Sequence, residues 1–304
     1  MSPGRRAGAR GAPGRAWAGR EDLLLLPALL FGAVAIGLPI LRVVQLSLSR
    51  VYYADGLRIA WDGAGQYARL WQDARWWVTL RNTAVFTLLS VVSEMVLGVA
   101  AALLLNRKFR GRGPARALVV LPWALPTAVM SLAWAWMFND AFGVVNDLLR
   151  RVGILDHPLA WLGQPATAMT ALVVADVWKT SPFVTLVALA GLQGIPAELD
   201  EAAALDGLTA WQRLWHLVLP LLRPALLVAL VFRIVQGFGA FDVVYVMTGG
   251  GPGGSTETVS LYAYQNYFRY LDFPYGSAVA IQGAVLVGLV TGALLRLSRG
   301  GGMR

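Results

Sequence analysis

Six stretches of this chain are each about as long and as apolar as a lipid bilayer demands, and that limits what the chain can fold into. They run over residues 23–48, 82–105, 117–138, 167–190, 225–247 and 275–295. A hydrocarbon core of ~30 Å takes ~20 helical residues to cross. Backbone polar groups in lipid must be satisfied within the segment, so the spans are expected to be helices. The expected fold class is all-α, a polytopic membrane protein with six transmembrane helices. Only 14% of the 304 residues are charged and 57% are hydrophobic, against about 25% charged in a soluble domain. Those values exclude a soluble fold, and they exclude disorder outside the N-terminus.

Residues 1–20, MSPGRRAGARGAPGRAWAGR, have no apolar period and are expected to form a disordered basic tail ahead of a permease domain at 21–304. The apolar run that follows is longer than the ~7–15 residues of a signal-peptide core, so it is expected to stay as the first span. With six spans both termini share a side. That side then holds 15 Lys and Arg, and the other three loops hold 8, which predicts cytoplasmic termini in a cell membrane. Residues 49–81 oppose the trend with five arginines, accompanied by three aspartates. The net charge of +9 follows this topology, and nucleic acid is not expected as a partner. Trp76, Trp77, Trp136, Trp161 and Tyr245 fall near predicted span ends, where amphipathic rings settle at the lipid interface.

Catalytic signatures are missing. There is no cysteine, the two histidines His157 and His216 lack ligand-like spacing, and neither lysine, Lys108 nor Lys179, sits in a phosphate-binding loop. A transport or scaffold role is expected rather than an enzyme, with no metal and no cofactor held by this chain.

Residues 194–220 form the most informative loop. Pro196 suits a first helical position, and Glu198, Asp200 and Glu201 complement the dipole of the helix it opens. Ala202, Ala203 and Ala204 propagate that helix, Asp206 follows, and Gly207 ends it. Thr209 with Gln212 is a capping box for a second helix, whose stripe is Trp211, Leu214, Trp215 and Val218. Pro220 and Pro224 are expected to close the unit before the fifth span. The result is a cytoplasmic helix–turn–helix whose acidic first helix suits a protein partner better than an anionic leaflet.

Here the sequence resembles a known family. Glu201-Ala202-Ala203, then Gly207, then Leu217-Val218-Leu219-Pro220 is similar to the EAA motif of ABC importer permeases, with Leu217 in place of the usual isoleucine. The resemblance implies that this helix pair docks into a dimer of ATP-binding subunits, which hold the ATP and Mg. Glu198, Glu201, Ala202, Ala203, Asp206, Gly207, Leu217, Leu219 and Pro220 would be the coupling residues. Leu121-Pro122-Trp-Ala-Leu-Pro126, Asp176-Val-Trp-Lys-Thr-Ser-Pro-Phe183 and Phe241-Asp-Val-Val-Tyr-Val-Met-Thr-Gly-Gly-Gly-Pro252 resemble carbohydrate importers of the maltose and trehalose type, in particular the larger permease of the pair. That likeness implies a second homologous permease, an extracytoplasmic sugar-binding protein and a disaccharide or small oligosaccharide as substrate. It also places Trp123, Thr127, Asp176, Lys179, Thr180, Phe183, Gln236, Gly237 and Ala240 along the pathway.

Independently of that likeness, Glu94, Thr127, Asp176 and Gln236 all fall roughly 15–18 Å into their predicted spans, near the bilayer middle. Ionisable groups at such depth are costly and point to function. Asp176 has Lys179 three residues on as a candidate partner, and Arg233 has Glu94 or Asp242. Importers of glycerol-3-phosphate or its diesters, and a non-transporting membrane scaffold or receptor, are the alternatives.

Overall fold

The computed structural model describes residues 18–52 and 58–300. The predicted tail up to residue 17 lies outside that range, and residues 18–20 already belong to the first helix. That helix, α1 (Ala18–Gly32), runs through a π turn at Ala33–Gly37 into α2 (Leu38–Ser47). A two-stranded antiparallel hairpin follows, β1 (Ser49–Tyr52) and β2 (Arg58–Trp61), paired with Ser49 opposite Trp61. Next come α3 (Gly65–Gln72) and the 33-residue α4 (Ala74–Asn106), which starts on an Asp73 cap that accepts from the Arg75 backbone NH. Two half-length helices, α5 (Arg112–Ala124) and α6 (Thr127–Met137), precede the short α7 (Val144–Arg151) and the long α8 (Pro165–Gln193). The chain continues through α9 (Ala197–Leu205), α10 (Ala210–Arg213), a π turn at Leu214–Val218, and α11 (Leu219–Phe238). It ends with α12 (Asp242–Met247), α13 (Val259–Tyr264), a π turn at Gln265–Arg269, and α14 (Phe273–Gly300).

Among the described residues five helical rods are long and apolar enough to cross a membrane: Leu25–Ser47, α4, α8, Ala210–Phe238 and Phe273–Ser298. α5 and α6 make a sixth only if the bent pair counts as one span, and they depart from the straight helix expected over 117–138 because the two halves meet at 96°. Pro126 supplies no NH and forces Leu125 into extended backbone, φ −73°, ψ 140°, which ends the first half. The fifth span also differs from its expected limits of 225–247. It begins at Ala210 and stops at Phe238, and 242–247 form the separate α12 packed against α6. Pro220 and Pro224 therefore do not close the helix pair. The π turn just before them shifts the hydrogen-bond register where Pro220 has no NH to give, and the rod continues.

α4 and α8 make the most extensive pairing, and they cross closely at Gly98, where a Cβ would come within 2.6 Å of the Val184 side chain. Three apolar clusters fill the interior. One joins Phe86, Met130, Leu172 and Val244, a second joins Leu105, Leu189, Val218 and Leu222, and a third joins Leu70, Trp76, Tyr262 and Tyr275. Trp76 is thus core, at 1% exposure, and not an interfacial ring. Its neighbour Trp77 is exposed against Trp71, and Trp136 is exposed as expected.

The arginines of 49–81 that strained the charge rule are largely tied down. Arg75 holds Glu257 at 2.7 Å, Arg69 holds Asp272 at 2.7 Å, and Arg50 lies 3.4 Å from Asp62. At the same end Asp73 accepts from the hydroxyls of both Tyr262 and Tyr275. Burial works to raise the Asp73 carboxyl, but these hydroxyls and the backbone NH groups of Arg75 and Trp76 prevail and hold it below the usual carboxylate range. Burial and the same contact push the Tyr262 phenol up to about 12. A carboxyl lowered on folding adds stability above its unfolded pKa of ~3.9 and loses it as pH falls through the folded value. Thermal midpoints of the detergent-solubilised chain should therefore fall steeply from about pH 5 downward. Asp73→Asn should be less stable at pH 7 and show a flatter acid limb, and parallel limbs would contradict this.

Candidate functional site

Three neighbouring helices, α4, α8 and α11, each contribute a charge to one buried cluster. The Arg233 guanidinium on α11 grips Glu94 on α4 through Nε at 2.5 Å and Nη2 at 2.8 Å. Its Nη2 also reaches Asp176 on α8 at 3.2 Å, and its Nη1 donates to Gln236 Oε1 at 2.5 Å. Glu94 is 0% and Arg233 2% exposed. The Thr180 hydroxyl lies 2.7 Å from Glu94 Oε1 and 2.5 Å from the Asp176 carbonyl, so its one proton serves two acceptors. This two-pronged Arg–carboxylate geometry is the kind that compensates desolvation. Arg233 chooses Glu94, and Asp176 has Arg233 rather than Lys179 as its ion-pair partner.

Lys179 instead donates to the Leu125 carbonyl at 2.6 Å and lies 3.5 Å from the Trp123 carbonyl, at the break between α5 and α6. Beside that break the rings of Trp123, Phe183 and Phe232 form a row, with centroid separations of 6.2 and 4.6 Å. Gln236, one turn beyond Phe232 on α11, is exposed.

The nine residues expected along the pathway thus separate. Trp123 and Gln236 are exposed, and Thr127 and Phe183 half-buried, around the break. Asp176, Lys179 and Thr180 are buried within the chain's own charge cluster and its edge. Gly237 sits where α11 meets α4, and a Cβ there would come within 3.1 Å of Thr87. Ala240 packs on the first apolar cluster, and its carbonyl accepts from Thr258 at 2.9 Å. Phe232 escaped the sequence reading. Its spacing of four before Gln236 was the signal that places both on one helical face.

At the far end of the rods the helix pair forms as anticipated. α9 ends at Gly207, whose φ of +73° suits glycine, and the Leu208 NH closes onto the Ala203 carbonyl at 3.1 Å. The capping box of Thr209 and Gln212 is complete. Glu198, Glu201, Ala202 and Asp206 are exposed, and Leu205 is 89% exposed. Ala203 faces inward. The expected stripe divides: Leu214 and Val218 enter the second apolar cluster, while Trp211 and Trp215 stay exposed and meet edge to face at 5.5 Å. Leu217 and Leu219 are half-buried and Pro220 is exposed in the rod that follows. No group of acidic or histidine side chains able to hold a metal occurs among the described residues.

Glu94→Ala should leave the buried guanidinium only the longer ion pair with Asp176 at 3.2 Å and the neutral Gln236 acceptor. A loss of about 3–5 kcal/mol is expected, seen as a large fall in the thermal midpoint in detergent. A shift no larger than that of a surface substitution would remove the cluster from its structural role.

Comparison with known proteins places this arrangement. Residues 94–299 match the family model described as binding-protein-dependent transport system inner membrane component. A trehalose/maltose transport system permease of Thermococcus litoralis is 41% identical over 91% of this chain and 92% of its own. A sulfoquinovosyl glycerol transport system permease of Agrobacterium fabrum is 40% identical over 91% and 89%, and a trehalose transport system permease of Mycobacterium tuberculosis is 36% identical over 85% and 82%. A chain of the bacterial ABC transporter that imports the acidic polysaccharide alginate has the same fold, with a TM-score of 0.81 and 21% identity over 95% of this chain and 99% of that one. This chain belongs to the family of binding-protein-dependent transport system inner membrane components: it is an ABC importer permease, and not itself an enzyme.

Proposed function

We propose that this chain forms half of the translocation pathway of an ATP-driven importer for a neutral disaccharide or small oligosaccharide, of the trehalose or maltose type. The observation that carries the reading is the row of Trp123, Phe183 and Phe232 with Gln236 exposed beside it at a broken span. Aromatic faces suit the C–H faces of a sugar, and an amide both donates to and accepts from hydroxyls. The sugars named for the trehalose/maltose relatives support the same class. A phosphate-bearing substrate would want a cation to itself, and Arg233 and Lys179 are both engaged within the chain. The sulfoquinovosyl glycerol relative fits the glycerol-3-phosphate alternative, but the trehalose/maltose relatives and these engaged cations favour the neutral sugar.

A second homologous permease would supply the other half of the pathway. A dimer of ATP-binding subunits, holding ATP and Mg, would receive α9 and the exposed Glu198, Glu201, Leu205 and Asp206. A sugar-binding protein would dock at the opposite end. Both termini and α9 would lie on the cytoplasmic side, in line with 15 Lys and Arg there against 8 across the membrane, and with the ion-paired arginines of 49–81. Closure of the ATPase pair would move α9 and open the pathway toward the binding protein, an alternating-access cycle of rigid-body type.

The test is reconstitution of the four-component importer in proteoliposomes, with uptake of labelled trehalose and maltose. Gln236→Leu also removes the acceptor of Arg233 Nη1, so uptake is read per assembled complex, where it should weaken at least ~2–10-fold, the cost of ~0.5–1.5 kcal/mol for one lost neutral hydrogen bond. Unchanged uptake would remove Gln236 from the pathway. Glu201→Lys reverses an exposed charge, so it should cost the fold no more than ~0.5 kcal/mol. It should abolish stimulation of ATP hydrolysis by sugar-loaded binding protein, and normal stimulation would dismiss the coupling role of α9.

A further inference from the structure

The last carbonyls of α5 have lost their partners. In an unbroken helix the Trp123 and Leu125 carbonyls would accept from NH groups four residues on, at Thr127 and Val129. The 96° turn into α6 ends that pattern. These carbonyls also carry the negative end of the α5 dipole. A cation supplied by another helix answers both deficits, and the Lys179 ammonium of α8 lies 2.6 Å from Leu125 O and 3.5 Å from Trp123 O. One turn further along α8, Phe183 meets the Trp123 ring at 6.2 Å. α8 therefore holds the break twice, by charge on the backbone and by ring on the side chain. Asp176, one turn back, is committed to Arg233.

We infer that Lys179 is a positioning residue of the transport cycle. It clamps the break of the α5–α6 span through the Trp123 and Leu125 carbonyls, and so fixes the Trp123–Phe183–Phe232 row without itself binding the transported molecule. The inference rests on the proposed pathway for its effect on uptake, but the clamp itself can be read without any sugar.

The sugar-free experiment uses the absence of cysteine from the chain. Leu125→Cys places a lone thiol at the break, and its rate of modification by a maleimide is measured in the assembled complex. Adding Lys179→Met should speed modification several-fold, and Lys179→Arg should restore the slow rate. Equal rates with Lys and Met overturn the clamp. In the second measurement, uptake by Lys179→Met complexes should show a KM raised about tenfold, with Lys179→Arg within about twofold of the original. A KM unchanged by Lys179→Met overturns the inference. So does recovery of that KM on adding Asp176→Asn, because it would mean that Lys179 serves the Asp176 charge instead. Should Lys179→Met fail to assemble, Lys179→Gln keeps one neutral donor and should give a rise of about threefold, and no rise overturns the clamp. Failure of the unsubstituted complex to take up any sugar would refute the sugar reading while leaving the maleimide result to judge the clamp.

Discussion

A guanidinium held between two carboxylates, out of reach of water, ties together the three helices on which the rest of the molecule is arranged. Each of the three charges alone is prohibitively costly in hydrocarbon. Together Glu94, Asp176 and Arg233 satisfy one another, and Thr180 and Gln236 take up remaining bonds. Their removal from water is tolerable only while α4, α8 and α11 stay in register, so the cluster specifies that register more than it adds net stability. The close crossing at Gly98 and the apolar clusters on either side supply the packing.

Against this fixed centre the chain places its irregular backbone with care. The break at Leu125–Pro126 adjoins the row of Trp123, Phe183 and Phe232, and α11 ends at Phe238, five residues past Arg233. Non-helical backbone at membrane depth is tolerated where protein covers it or a cavity adjoins it, and here Lys179 covers part of it. The π turn at Leu214–Val218 serves the opposite purpose, since it lets a proline-bearing segment continue as one rod.

Much of this was legible in the sequence where the signal is local. The capping box at Thr209 and Gln212, the glycine at 207 and the apolar stretches at 23–48, 82–105, 167–190 and 275–295 depend on residues a few positions apart, and they appear, whereas 117–138 is bent and 225–247 is displaced. Partners across the bundle were not legible. Spacing alone offered Lys179 to Asp176, yet the carbonyls freed by Pro126 are a stronger claim on the ammonium, and Arg233 arrives from α11. Apolar composition likewise could not separate a straight span from a bent pair, because the stretch from Ala117 to Phe138 is apolar on both sides of the break. Trp76 shows the same limit: its position near a span end is real, but tertiary packing with Tyr262 and Tyr275 buries it. The family motif at Glu201–Gly207 was found from residue types and spacing, and the matching family model covers it.

The continuity of the rod from Ala210 to Phe238 makes it a lever. Its 29 residues extend roughly 42 Å at ~1.5 Å per residue. A tilt of about 5° at the capping box would displace the Phe238 end by roughly 4 Å, comparable to the thickness of an aromatic ring. The pivot is then the capping box, and Arg233 pins the rod to two other helices close to the moving tip. Because the pin sits so near that tip, most of any such sweep would have to be taken up as motion of α4 and α8 along with the lever, or as a change in the grip on Arg233 itself.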